Sequence, residues 1–383
     1  MKRALRILVA PNAFKESLTA AEAAHCISAG IRRGLPNAQI VELPIADGGD
    51  GTLEVVINGT GGRICRSQVL DPLGRKRIAA YGITGNGKTA IIEMSRASGL
   101  ALVPPSRRNP WVTTSYGTGQ LILAALRHKV EEIILAIGGS ATVDGGLGAL
   151  QALGADFRDR RGRAVCFGGQ GLLQLQSIQL ERLHPALSQT RLLVACDVDN
   201  PLVGPRGAAA VFGPQKGATP LMVKRLDHGL ARLAKKISEL KQVNISSIPG
   251  AGAAGGISGS FLGLLGAQLR PGSDLIFKLL KIDQVIRQVD LIITGEGSID
   301  FQTPSGKGPG ILAKWAQQLK LPVVALAGSV TNERGFLHRH GFSALFSVVQ
   351  GPIDLPSAKR QSARLLQEKA EEVARLIQAT RSL

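Results

Sequence analysis

The stretch LIITGEGSIDFQTPSGKGPG, Leu291 to Gly310, decides how this chain is read. The run VDLIIT that leads into it is short, apolar and β-branched, as a buried parallel strand is, and KGPGILAKWAQQL has the apolar spacing of a helix. Between them the residues form a glycine-rich turn carrying Glu296, Asp300 and Lys307. Ligands of open α/β sheets sit where strands end and helices begin. Glycines there let the backbone approach a phosphate, the helix N-terminus offers N–H groups, and Lys307 adds a cation. The stretch is not a Walker A loop, because Phe301 stands where the first glycine of GxxxxGK belongs. Taken alone it reads equally well as a structural turn with solvated charges. Its recurrence along the chain favours a site.

Working outward, RILVA (Arg6 to Ala10) reads as the first strand, followed by the turn PNAFKES and a helix to Arg33 that Ser17 or Thr19 would cap. The strand AQIVELP then delivers the chain into Asp47-Gly48-Gly49-Asp50-Gly51, again glycine-rich and acidic at a strand end. From Gly61 to Met94 short alternating runs separated by DPLG and GNGK predict an antiparallel section. The strand EEIILAI runs into Gly138-Gly139-Ser140 and on to Asp144, with a helix after it. RLLVACDVDN places Asp197, Asp199 and Asn200 at another strand end, with Lys216 shortly beyond. Leu221 to Leu240 has the pattern of a basic amphipathic helix, GAGAAGGISGSFLGLLGA that of a tightly packed loop and helix, and Ser357 to Leu376 that of a closing helix. PVVALAGSV and ALFSVV complete the strands, and no repeat of fixed period appears. Both ends thus have parallel α/β texture and the middle does not. The expectation is a two-domain α/β protein, with a Rossmann/flavodoxin-like parallel-sheet domain from residues 1–60 and 288–383. A second, mixed α/β domain at 61–287 would interrupt it, with an active-site cleft between the two.

Composition sets bounds. The chain has 383 residues, 44% of them hydrophobic and 19% charged, as a globular enzyme does. Aromatic residues make up 4%, too few for the stacking platforms of a single-strand nucleic-acid binder. Lys and Arg exceed Asp and Glu by 46 − 28 = 18, which favours anions as ligands, although a broadly basic surface explains the excess as well. Clusters such as Arg160-Arg161 with Arg163 are soon interrupted, so no block resembles a nucleic-acid arm. Cys26, Cys65, Cys166 and Cys196 form no CxxC and point to a reducing, cytoplasmic setting. MKRALRILVAPNAF has too few apolar residues before Pro11 for a signal segment, and no run approaches 18 uninterrupted apolar residues.

Four strand ends therefore carry glycines with carboxylates: Asp47 with Asp50, Asp144, Asp197 with Asp199, and Glu296 with Asp300. Converging, they would make an acidic, amide-rich cleft suited to Mg²⁺, which takes one or two carboxylates plus phosphate oxygens and water. Phosphoryl transfer asks for in-line positioning, charge neutralisation and a carboxylate to accept the hydroxyl proton. Lys15 and Lys307 are natural anion partners. For any one of these carboxylates a capping or turn role is at least as good a reading. The six histidines lie outside the loops, which leaves no seat for a Ser-His-Asp triad or a His-ligated zinc.

PNAFKESLTA, PIADGGDGT, SYGTGQL, AIGGSATVDGGLGALQALGA, CDVDNPLVG with VFGPQKGA, GAAGG, LRPGSDL and TGEGSIDFQTPSGKGP, taken in order, resemble the bacterial type I glycerate kinase family. The resemblance implies an ATP-dependent, Mg²⁺-assisted kinase acting on D-glycerate, with 2-phosphoglycerate favoured over 3-phosphoglycerate. The family's opening motif usually has Asp-Ser where this chain has Asn12-Ala13, while Lys15 is retained. From its strand-end position in CDVDNPL, Asp197 is the expected general base, with Asp47 as runner-up and Lys15 beside them. Gly295, Glu296, Gly297, Thr303 and Lys307, with Gly138, Gly139 and Ser140, would hold ATP. Gly48, Gly49, Asn200 and Lys216 would seat the substrate, and Asp300, Glu296 and Asp199 the metal. The expected partners are glycerate and ATP, with no nucleic acid or membrane, in a monomer or homodimer. Other readings are a kinase for another small hydroxy or sugar acid, or a basic, non-catalytic regulator that senses an anionic metabolite or binds nucleic acid. The acidic loops argue against the regulator, since carboxylates repel phosphate unless a metal intervenes.

Overall fold

The computed structural model describes residues 3–332 and 334–382. The chain divides into two compact units, Met1–Asp47 with Ser273–Leu383 and Gly48–Gly272.

In the discontinuous unit the strands lie in the order Ala344–Ser347, Val323–Val330, Leu291–Ile299, Arg6–Pro11, Gln39–Glu42, and every pair is parallel. Counted within the unit this is the flavodoxin-like order 2-1-3-4-5, whose switch point falls between the first and third strands. The inner strands are apolar runs buried on both sides, as parallel strands are, with Ile7, Val9, Ile293 and Leu326 in the core. Helix Ala20–Gly34 starts at Thr19, whose hydroxyl accepts from Glu22 N–H while the Glu22 carboxylate accepts from Thr19 N–H. Of the two caps the sequence offers, the structure uses this one, and Ser17 donates instead to the Phe14 carbonyl. The same helix packs on the C-terminal helix Ser362–Ser382 through Gly30, where a Cβ would stand 2.2 Å from the Gln367 carbonyl. Glycine is required there by close approach.

The continuous unit holds a mixed sheet in the order Gln268–Arg270, Arg191–Ala195, Glu132–Ala136, Thr89–Glu93, Lys76–Ile83, Arg63–Leu70. Strands from 268 to 89 pair in parallel, and the last two join antiparallel. Thr89–Glu93 is buried along its whole length, whereas the edge strand Arg63–Leu70 is largely exposed. Texture thus tracks burial on one face or two. Leu121, Leu135, Leu147, Leu230 and Phe261 fill the core.

Four differences from the sequence reading have local causes. The unit boundaries fall at 47/48 and 272/273, because helix Thr52–Thr60 lays Leu53 and Ile57 against Gly82, and Phe277 stacks edge-on against Trp315 at 5.4 Å between centroids. The residues Gly295 to Ile299 are strand, not turn, since their pairing with Val323–Val330 continues from Gly295↔Leu326 to Ile299↔Val330. The turn proper begins at Asp300. Thr89–Glu93, read as part of an antiparallel section, is the pivot where the sheet becomes parallel. The closing helix is two helices, Leu355–Arg360 and Ser362–Ser382, the first capped by the Asp354 carboxylate. The four cysteines are unpaired, and no helix of the described residues is long and apolar enough to cross a membrane.

Candidate functional site

In the discontinuous unit the switch point gathers the residues quoted first. Strands Arg6–Pro11 and Leu291–Ile299 run side by side with Ala10 opposite Thr294 and Pro11 opposite Gly295, and Thr294 Oγ1 donates to the Ala10 carbonyl at 2.7 Å. Just beyond, Asn12 N–H donates to the Gly295 carbonyl at 2.8 Å and Asn12 Nδ2 donates to Asp47 Oδ2 at 3.0 Å. Asn12 is therefore the group that orients Asp47, a partnership sequence reasoning missed. Gly295 admits the close approach of Leu326, whose carbonyl would be 2.0 Å from a Cβ, and Gly297 faces the Phe14-Lys15 backbone. Lys15 itself is exposed on that turn.

Glu296 is 8% exposed, and its Oε1 accepts from Thr303 Oγ1 at 3.1 Å. The same Thr303 oxygen accepts from Asp300 N–H, so one hydroxyl ties the strand to the turn. Lys307 Nζ stands 3.4 Å from the Asp300 carboxylate and 3.8 Å from Glu296 Oε1. Burial pushes the Glu296 carboxyl up to about 7; Lys307 and Thr303 oppose this, and the charges of Asp47 and Asp300 add to it. Two more carboxylates acting on a buried one leave a deficit of positive charge. Among the described residues no three His, Cys, Asp or Glu side chains are grouped to hold a metal by themselves. Mg²⁺ arriving with phosphates would need only one or two carboxylates, a number that Glu296 and Asp300, at 3.8 and 3.4 Å from Lys307 Nζ, can supply.

In the continuous unit Asp197 lies two residues past strand Arg191–Ala195, and its Oδ1 accepts from Gly272 N–H at 2.9 Å. The Gly48 turn lies against it: a Cβ on Gly48, where φ is +89°, would stand 3.0 Å from Ala195 Cβ and 3.8 Å from Asp197 Oδ2. Gly138 lies on the same turn, 3.3 Å from the Gly49 Cα by the same measure, and Gly139 faces the Asp50 carboxylate. So Gly48, Gly49, Gly138, Gly139 and Asp197 meet at the carboxyl ends of adjacent strands, where the sheet's ligands are expected.

Other expected residues stand in different surroundings. Asp144 is fully buried and its carboxylate accepts from Ser115 N–H, Ser115 Oγ, Gly146 N–H and Gly148 N–H, so it clamps loops and contributes no acidic surface. Asp199, expected at a metal, is exposed and paired with Arg206 at 3.0 Å. Asn200 Nδ2 donates to the Arg206 carbonyl, bracing the same loop. Lys216, expected against substrate, is 2% exposed, with its amine donating to Ser140 Oγ and the Thr142 carbonyl. Sequence reasoning also passed over Glu93, Arg96 and Glu54. Arg96 bridges the other two at 2.5 and 2.6 Å, and Glu93, pushed up by burial, accepts from Leu53 N–H at the start of helix Thr52–Thr60. The signal was a charged EMSR following the buried run AII.

The profile of the Glycerate kinase family matches residues 7–378. The chain is 44% identical over 379 residues to a glycerate kinase from Bacillus subtilis (strain 168), covering 99% of each chain. It is 47% identical over 345 residues to a glycerate 2-kinase from Escherichia coli (strain K12), covering 90% of this chain and 91% of that one. A crystal structure designated glycerate kinase 2, from Salmonella typhimurium LT2, superposes with a TM-score of 0.90 at 45% identity over the whole of both chains.

Proposed function

We propose that this chain, which belongs to the glycerate kinase family, phosphorylates D-glycerate with ATP and releases 2-phosphoglycerate. The observation that carries this reading is a relationship that runs almost from end to end, at 44% and 47% identity, with proteins named glycerate kinase and glycerate 2-kinase. The strand-end chemistry supports it.

In this reading Asp197 takes the proton of the substrate hydroxyl while that oxygen bonds to the γ-phosphorus and the bond to ADP breaks. Gly48 and Gly49 form the floor on which the substrate rests, and Lys15 is a cation suited to an anionic group. Glu296 and Asp300, with Asp47 near them, would hold Mg²⁺, which would supply charge neutralisation to the phosphates when bound. Lys307 meets a phosphate oxygen. Gly138, Gly139 and Ser140 present their backbone and hydroxyl to the nucleotide. The enzyme works in the cytoplasm as a monomer or homodimer.

The test is a coupled ATP-consumption assay with D-glycerate, with and without Mg²⁺, in which the 2- and 3-phosphoglycerate products are resolved. Metal-dependent formation of 2-phosphoglycerate is the expected result. Folded protein that leaves D-glycerate untouched while turning over another hydroxy or sugar acid overturns the substrate assignment.

A further inference from the structure

Lys216 ends the short turn Pro214–Lys216 with its side chain sealed from water. An ammonium there needs hydrogen-bond acceptors. Among the described residues it has two, Ser140 Oγ and the Thr142 carbonyl, each at 2.7 Å. Burial lowers its pKa from the usual lysine range to about 7, and the charge of Asp144 opposes that shift. Asp144, already engaged by Ser115, Gly146 and Gly148, is the charged group found acting on Lys216 among the described residues.

The consequence falls on Ser140. A hydroxyl has one hydrogen and two lone pairs. With the ammonium donating to Oγ, the hydrogen must point elsewhere, and among the described residues no acceptor receives it. Ser140 follows Gly138 and Gly139, which lie against the Gly48-Gly49 turn and Asp50 at the strand ends. A neutral amine, by contrast, has a lone pair of its own and would draw that hydrogen inward.

We infer that Lys216 is a positioning residue: its buried ammonium commits Ser140 Oγ as an acceptor and so leaves the Ser140 hydroxyl hydrogen to a phosphate oxygen of the nucleotide. The inference rests on the proposed reading that the Gly138-Gly139-Ser140 turn meets ATP. It makes nucleotide affinity depend on the protonation of a side chain that never touches the nucleotide.

The test follows ATP affinity from pH 6 to pH 9, by calorimetric titration and by the KM for ATP, in the wild type and in Lys216→Met and Ser140→Ala. In the wild type, affinity should fall about tenfold across a midpoint near 7, the worth of one hydrogen bond to a charged group, with kcat changing less. Ser140→Ala should bind weakly at every pH, and both variants should lack that limb; comparison with them cancels the titration of ATP itself. A Lys216→Met protein that keeps the wild-type limb overturns the inference. Should Lys216→Met fail to fold by circular dichroism, Ser140→Ala decides alone: loss of the limb supports the inference and its retention overturns it. A wild type that shows the limb in ATP binding but does not turn over D-glycerate would sink the proposed activity and leave the role of Lys216 supported.

Discussion

Glu296 and Asp144 occupy the same setting in sequence, an acid in a glycine-rich stretch after an apolar strand, and their carboxylates end in opposite states. Asp144 is closed from solvent and accepts four hydrogen bonds, two of them from the backbone of the turn that follows it. Glu296 is nearly as buried, yet among the described residues accepts one hydrogen bond, from Thr303, with Lys307 3.8 Å away and shared with Asp300. Burial pushes the Glu296 carboxyl up to about 7 against the opposing pull of Lys307 and Thr303. A carboxylate whose donors are complete belongs to the fold. One that is buried, short of donors and beside other carboxylates carries a raised pKa, the mark of a functional-site candidate.

The contrast can be broken by substitution. The largest effect should come from Asp197, an exposed strand-end aspartate of the continuous unit that lies against the Gly48 turn: Asp197→Asn should lower kcat by about 10³-fold with the melting temperature unchanged. Near-normal kcat would remove it as the base, and a larger loss in Asp47→Asn would hand that role to Asp47. Asp144→Asn should cost about 3 kcal/mol of stability in urea denaturation, because an amide presents hydrogens to groups that are themselves donors. If instead it kept its stability and lost turnover, Asp144 would belong with Glu296 and the contrast would fail. Glu296→Gln should lose about 10²-fold in kcat/KM for ATP while stability holds or rises, since a desolvated charge is removed. A drop in stability like that of Asp144→Asn would show Glu296 to be a structural clamp.

The smallest effect extends the comparison to a buried cation. The folded state holds Lys216 at about 7, below its unfolded value, so over neutral to alkaline pH the unfolded chain binds the extra proton. The stability this group contributes is complete above the unfolded pKa and is lost as pH falls through about 7. Stability should therefore rise by about 1 kcal/mol per pH unit between pH 7 and 9, and Lys216→Met should flatten that slope relative to wild type. Parallel slopes in chemical denaturation would show that the ammonium is not desolvated as described.

Much of the fold was legible because it depends on periodicity. RILVA, LIIT, VVALA and EIILA are apolar runs whose length and bounds specify buried strands, and the spacing in AAEAAHCISAGIRRG specifies a helix. The family motifs, likewise, are strings of adjacent residues. The strand extension through Gly295 to Ile299 was not legible, because glycine, glutamate and serine are poor strand formers, held there by pairing with Val323–Val330. Nor was the order 2-1-3-4-5 within the discontinuous unit, since strand order is set by which runs pair across the sequence.

What the sequence determined by itself was the α/β class, the interrupted discontinuous organisation, the family and the set of residue types available at the strand ends. Which member of that set keeps an unmet charge was decided by tertiary structure alone. Asp144 and Glu296 differ in the number of N–H and O–H groups brought to them, from Ser115 and Thr303 among others, and Lys216 differs from Lys15 in being shut away from water. Donor count and desolvation arise from segments distant along the chain, and those two quantities set the state of each charge.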